Sequence, residues 1–234
     1  MANNKNSFEN LLLVEGATEK RAIPELIEAN GIIWERSSKT PIVFIDDYAG
    51  GDTKVVKPAV ISNELNVANR KALGLIVDAD HNCANRWQSV RNACLNFIPD
   101  LPQDIPPKGL IHDTLKKNGK PVKFGLWIMP DNQTGGMLET FLAYLVKDES
   151  EALWQYSQEV VLEAKNKGAN YKPTHVDKAN IHTWLAWQDE PGNQLHIAVK
   201  KKILDPQHPK AKNFIDWFTK LYDLKIDQTV FIED

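Results

Sequence analysis

Short apolar runs that end in carboxylates recur along the first two thirds of the chain. The run at residues 11–14 breaks at Glu15 and Gly16, and apolar residues at helical spacing follow it. A short run that is apolar throughout is typical of a strand buried on both faces of a sheet. Because such runs alternate with helical patterns, the sequence predicts an α/β fold with a parallel-type sheet flanked by helices.

The hydrophobic pattern also divides the chain into two regions. We predict strands at residues 11–14, 41–47, 72–80, 109–113 and 121–129, and helices at residues 18–30, 53–69, 87–97 and 137–147. Beyond residue 150 the pattern predicts helices at 151–167, 177–188, 194–204 and 209–224, with a last edge strand at 230–232. The sequence therefore predicts an α/β domain at residues 8–148 and a mainly helical extension at residues 149–234, packed on that domain.

Composition restricts the class of protein. The chain has 234 residues, of which 42% are hydrophobic and 25% charged, as is typical of a soluble globular protein. Its formal net charge of −3 gives no global case for binding nucleic acid or membrane, so any such binding depends on local patches. We find no apolar run long enough to span a bilayer, no signal-peptide pattern and only two cysteines. We therefore expect a cytoplasmic protein without membrane association.

Carboxylates follow four of the predicted strands. They are Glu15 with Glu19, Asp46 with Asp47, Asp78 with Asp80, and Asp131 followed by Glu139. The carboxyl ends of parallel strands lie at one edge of a sheet, where ligands of open α/β sheets bind. Carboxylates that converge there repel one another unless a cation neutralises them, and Mg²⁺ prefers oxygen ligands of this kind. For Asp46 and Asp47, a role in the following loop is the favoured alternative to a place in this acidic edge.

Two short motifs carry a resemblance to a known family. Residues 13–19, Leu-Val-Glu-Gly-Ala-Thr-Glu, and residues 77–80, Val-Asp-Ala-Asp, resemble the signature of Toprim domains. These domains are the catalytic module of topoisomerases, bacterial primases and the overcoming-lysogenization-defect nucleases. The resemblance covers roughly residues 8–145 and is closer to the nuclease class. Through residues 128–132, 136–139 and 182–188 the chain also resembles a group of small stand-alone Toprim-like proteins of unknown function.

The resemblance implies a metal site at the acidic edge. Its Mg²⁺ or Mn²⁺ ligands would be Glu15, Glu19, Asp78, Asp80 and Glu139. Three of these, Glu15, Asp78 and Asp80, would also be catalytic, with Glu15 as a general acid or base. Asp131 is a weaker candidate ligand.

Nucleases of that class also use a lysine that follows the acidic motifs. Lys200, Lys201 and Lys202 are equal candidates here. The larger nucleases carry an ATPase domain as well, and this chain has no Gly-x-x-x-x-Gly-Lys-Ser/Thr loop. A partner protein that supplies the ATPase function is therefore part of the expectation.

Three functions are consistent with the sequence. The favoured hypothesis is a Mg²⁺-dependent, nuclease-like protein that cleaves phosphodiester bonds in DNA or RNA. The alternative is a non-catalytic metal- or nucleotide-binding subunit that works with a partner protein. A phosphatase with an Asp-x-Asp nucleophile is weaker, because the motif lies on the third strand rather than the first. Lysine clusters at residues 116–123 and 200–212 are either nucleic-acid contacts or solvated faces.

Overall fold

The chain forms a five-stranded sheet. The computed structural model describes residues 5–35, 40–47 and 55–226. The strands are β1 (Asn10–Leu13), β2 (Phe44–Asp46), β3 (Ala72–Asp78), β4 (Leu110–Leu115) and β5 (Pro121–Met129). They lie in the order β2-β1-β3-β5-β4, and every neighbouring pair is parallel except β4 and β5. The predicted α/β fold with a mostly parallel sheet is therefore confirmed.

Helices flank the sheet and make up most of the C-terminal region. They are α1 (Ala17–Glu28), α2 (Pro58–Leu65), α3 (Cys83–Cys94), α4 (Leu138–Ala143), α5 (Glu151–Asn166), α6 (Val176–Leu185), α7 (Leu195–Lys200) and α8 (Lys212–Leu221). The helix predicted to begin at residue 87 begins at Cys83, because Asn82 caps it by accepting a hydrogen bond from the Asn85 amide at 2.9 Å. The predicted strand at 230–232 lies outside the described residues.

The antiparallel pair β4–β5 closes through a tight turn. Residues 116–120 lie between the strands, and the Lys116 amide donates to the Lys120 carbonyl at 2.9 Å. Gly119 has a φ of +77°, a left-handed conformation that the Asn-Gly pair of a hairpin turn favours. The strands predicted at residues 109–113 and 121–129 therefore pair as a hairpin.

Both faces of the sheet are buried. On one face, Leu12, Ile76 and Trp127 belong to a core that includes side chains of α1, α4 and α6–α8. On the other, Leu11 and Leu75 belong to a core shared with α2 and α3. Successive side chains of a strand point to opposite faces, so a strand covered on both sides must be apolar at every position. This explains why β1 and β3 read as continuous apolar runs.

The C-terminal region packs directly on the sheet. The Trp217 indole donates to the Leu110 carbonyl at 2.9 Å, and the Tyr222 hydroxyl donates to the Leu11 carbonyl at 2.9 Å. A Cβ atom at Gly74 or Gly125 would overlap the end of α8, so these glycines permit its close approach. The helical C-terminal region is confirmed, whereas its separation from the α/β domain at residues 148 and 149 stays a prediction.

Candidate functional site

An acidic cluster surrounds Asp78 at the carboxyl end of the central strand, β3. Burial raises the pKa of the Asp78 carboxyl to about 8, and repulsion from four carboxylates adds to the shift. These carboxylates are Glu15, Glu19, Glu139 and Asp80. The structure therefore brings together all five acids that the sequence predicts as metal ligands. Their roles as ligands or catalysts stay predictions.

Parallel pairing accounts for much of this convergence. Leu13 of β1 pairs with Leu75 of β3, and Asp78 pairs with Met129 of β5. Glu15 follows β1, so it leaves the sheet at the same edge as Asp78. Glu19 lies in the first turn of α1 and is only 7% exposed. Its pKa is raised by burial first, with a further contribution from the charge of a neighbouring glutamate.

Asp78 also connects β3 to the beginning of α4. The Leu138 amide donates to the Asp78 Oδ1 at 3.1 Å, so this carboxylate accepts from an amide at the start of the helix. Glu139 follows in the first turn of α4, and it is 5% exposed. The same helix start thereby places Glu139 beside Asp78.

Asp80 is held by a loop rich in glycine. It has a φ of +51°, and it forms an isolated antiparallel bridge with Gly136 through hydrogen bonds of 2.9 and 2.8 Å. A Cβ atom at Gly135 would lie 2.9 Å from the His81 carbonyl oxygen, so the loop needs glycine to approach this closely. The half-exposed Asp80 carboxylate forms an ion pair with Arg86 of α3.

Lys178 is the functional candidate that the sequence reasoning missed. Its Nζ lies 2.9 Å from the Glu139 Oε1. Burial lowers the pKa of the Lys178 ammonium, but the hydrogen bond to Glu139 and the surrounding negative charges raise it overall. Those charges belong to Glu139, Asp78 and Glu19. Lys178 therefore stays charged and compensates part of the negative charge of the cluster.

The position of Lys178 depends on contacts between α4 and α6. The Thr140 hydroxyl donates to the Asp177 Oδ2 at 2.5 Å, and the Met137 amide donates to the Thr140 Oγ1 at 3.0 Å. Asp177 and Lys178 lie in the first turn of α6 and both reach α4. No motif in the sequence signals this contact, since it joins helices of the two predicted regions.

The lysines proposed from the sequence lie elsewhere. The Lys200 Nζ is 3.3 Å from the Glu25 carboxylate, and the Lys201 Nζ is 3.0 Å from that of Glu190. Lys202 lies in the turn after α7, with a φ of +55°. These ion pairs involve acids outside the cluster, so Lys178 is the better candidate for the lysine of the site.

Lysines neutralise the acids at the C-terminal end of β2. The Lys5 Nζ lies 3.0 Å from the Asp46 carboxylate and 2.7 Å from that of Glu64, while the Lys20 Nζ lies 3.3 Å from that of Asp47. The loop that they were expected to cap, at residues 48–54, lies outside the described residues. The charges that raise the pKa of Asp78 do not include Asp46 or Asp47.

Asp131 and Lys116, a member of the first lysine cluster, have structural roles. Asp131 accepts hydrogen bonds from the Gln133 and Thr134 amides at 3.0 and 2.7 Å, so it stabilises the turn after β5. The buried Lys116 donates to the carbonyls of Val67 and Ala68, both at 3.0 Å. Lys116 lies by the hairpin turn before β5, at the opposite end of the strand from the acidic cluster.

The acidic cluster fits Mg²⁺ in its chemistry. Within residues 5–35, 40–47 and 55–226, no three His, Cys, Asp or Glu side chains are arranged so that they could hold a metal ion. The available donors are carboxylate oxygens, which Mg²⁺ prefers. This ion typically uses only one or two protein carboxylates, with waters and substrate phosphates completing its octahedron. Asp78 and Asp80 lie at this edge, where Asp78 accepts the Leu138 amide hydrogen bond and Asp80 is paired with Arg86.

Comparisons with known proteins give one match. Residues 9–223 match a family described as a protein of unknown function, DUF3226. No curated protein and no solved structure matches the chain. Among the described residues, no helix is both long enough and apolar enough to cross a membrane.

Proposed function

This chain belongs to the DUF3226 family, and we propose that it is a Mg²⁺- or Mn²⁺-dependent enzyme that cleaves phosphodiester bonds in DNA or RNA. The observation that carries the proposal is the convergence of four carboxylates on the buried Asp78, whose pKa is raised to about 8. This arrangement is unfavourable in the absence of a cation, because each ionised acid repels the others. A bound divalent cation would relieve the repulsion and would be neutralised by the cluster.

The resemblance of residues 13–19 and 77–80 to Toprim motifs supports the same chemistry. Magnesium at such a site would polarise the phosphate and lower the pKa of its bound water. Asp78 and Asp80 would hold the ion from the end of β3, with Glu19 and Glu139 beside them. Glu15 would accept or donate the proton that moves during hydrolysis.

Lys178 has two possible roles in this scheme, and both arise from its contact with Glu139. It keeps the Glu139 carboxylate in one orientation by an ion pair of 2.9 Å. Its ammonium also provides donors for a phosphate oxygen, since one partner leaves two of its three N–H groups. We favour phosphate binding, because an ammonium beside the cluster would stabilise the negative charge that the phosphate gains in the reaction.

The alternative function is a non-catalytic subunit that binds a metal or a nucleotide and works with a partner protein. The observation in its favour is that Lys178 already compensates part of the acidic charge that a metal would neutralise. A partner that supplies an ATPase would then complete the activity.

Metal binding and cleavage test the proposal together. Mg²⁺ and Mn²⁺ are titrated by calorimetry into the wild type, Asp78→Asn and Asp80→Asn. The same proteins are incubated with end-labelled single- and double-stranded DNA and RNA. Asp47→Asn is the matched control, because it removes one acid from the end of a neighbouring strand outside the cluster.

We expect metal-dependent cleavage by the wild type and the control, and its loss in both cluster variants. Cleavage that survives in both Asp78→Asn and Asp80→Asn would refute the assignment of the site. Saturable metal binding without cleavage of any substrate would favour the non-catalytic subunit. Adding the partner captured from cell extract would then be the next measurement.

A further inference from the structure

An open surface cavity, lined mainly by polar residues, adjoins the acidic cluster along one side of α3. Its volume is about 430 Å³. Its polar lining consists of Asp80, His81, Asn82, Asn85, Arg86 and Ser89. The residues from 82 to 89 span about 10 Å along the helix, at a rise of 1.5 Å per residue. The cavity therefore leads away from the acidic edge of the sheet, and Asp80 is common to both.

This surface lacks the excess of acids found in the cluster, because its acid, Asp80, is paired with Arg86. Residues 81–99 contain two arginines and no aspartate or glutamate, although the whole chain has a net charge of −3. Arg91 donates to the carbonyls of Pro102 and Leu101 at 2.9 and 3.4 Å, so it stabilises a loop. Arg86 is thus the arginine that faces the cavity.

Arg86 is well oriented for binding an anion. Its side chain is only 15% exposed, and its ion pair with Asp80 fixes the guanidinium beside the acidic cluster. A guanidinium has five N–H donors in a planar fork, so an ion pair with one carboxylate leaves donors for a second acceptor. Arginine, asparagine and serine are also the side chains that commonly donate to phosphate oxygens in nucleic-acid complexes.

We propose that this cavity binds a phosphate of the nucleic-acid backbone next to the phosphate that reacts at the acidic cluster. The inference rests on the proposed function and adds a second substrate contact, centred on Arg86. The contacts are to phosphate and carry no base recognition, so binding through the cavity is independent of sequence. Asn82, Asn85 and Ser89 provide neutral donors around the arginine.

The test measures binding without metal and therefore without cleavage. A fluorescent oligothymidylate and the matching oligouridylate are titrated with protein in EDTA, and anisotropy is recorded at several salt concentrations. The cavity variants are Arg86→Gln, Ser89→Glu and Ser89→Lys. Ala84→Glu is the matched control, because this exposed residue lies on the same helix outside the cavity lining.

We expect Ser89→Glu to weaken binding about fivefold, which corresponds to one added repulsion at short range in water. Ser89→Lys should strengthen binding and steepen the dependence of log K on log salt by about 0.7, and Arg86→Gln should reduce that slope by a similar amount. Ala84→Glu should have a clearly smaller effect than Ser89→Glu. The DNA and RNA probes show which backbone the cavity prefers.

The outcomes separate this inference from the proposed function. Equal effects of Ser89→Glu and Ala84→Glu would overturn the inference, as would an unchanged salt slope in Arg86→Gln or no binding of either probe by the wild type. Cleavage combined with any of these results would overturn the inference and leave the proposed function standing. If the cavity variants change binding as expected but no cleavage occurs in Mg²⁺, the phosphate-binding cavity would stand and the proposed function would be overturned.

Discussion

Asp78→Asn is expected to stabilise the metal-free protein at pH 8. The folded state raises the pKa of the Asp78 carboxyl from 3.8 to about 8, mainly through burial. An asparagine has nearly the same shape but no charge to desolvate, and its Oδ1 can still accept the Leu138 amide hydrogen bond. The substitution should therefore remove an electrostatic penalty and retain the local hydrogen bond.

The sign and size of the effect follow from proton linkage. The folded-state pKa lies above the unfolded one, so the folded state binds this proton more tightly. The stabilisation due to that proton is complete below pH 3.8 and is lost as the pH rises towards about 8. A shift of about four units corresponds to an upper limit of about 5 kcal/mol at 1.36 kcal/mol per unit. Because the neighbouring acids share the protons, we expect about 2 kcal/mol at pH 8.

Urea unfolding measures this difference. Tryptophan fluorescence reports the transition in EDTA at pH 5 and pH 8, for the wild type, Asp78→Asn and Asp47→Asn. Asp47 has an exposed ion pair with Lys20, so its substitution should change the free energy of unfolding by less than about 1 kcal/mol. A gain for Asp78→Asn that is equal at the two pH values, or a loss at pH 8, would refute the reasoning.

Three further predictions concern the site and its support. Lys178→Met should reduce the free energy of unfolding, measured in urea at pH 7, by about 1 to 3 kcal/mol, because it leaves the buried Glu139 charge without its 2.9 Å partner. Lys178→Arg keeps a positive charge and should lose much less. Gly136→Ala should lower the free energy of unfolding by about 2 kcal/mol, because φ is +142° and a Cβ atom would lie 2.6 Å from the Thr140 Oγ1. Equal urea midpoints for the variant and the wild type would contradict this prediction. Gly125→Ala should lower the melting temperature in calorimetry, because its Cβ atom would overlap α8; a higher melting temperature would show that α8 can move away without loss.

Much of the fold was predictable because burial on both faces leaves a clear pattern. β5 has the predicted bounds of residues 121–129, and β3 begins at the predicted residue 72. Boundaries were less predictable where side chains or turns end an element. The helix predicted at 137–147 stops as α4 at Ala143, since the Tyr144 and Leu145 amides bond to carbonyls three residues earlier and tighten the chain into turns.

The sequence by itself determined that acids at the ends of neighbouring strands meet at one sheet edge, since parallel strands place their carboxyl ends on one side. Glu15 and Asp78 follow from that rule. Only the tertiary structure decided which charges compensate them. Lys178 reaches Glu139 from a distant helix, and Arg86 reaches Asp80 across the start of α3. Such partners have no local signature, because an ion pair depends on the distance between two side chains after the elements have packed.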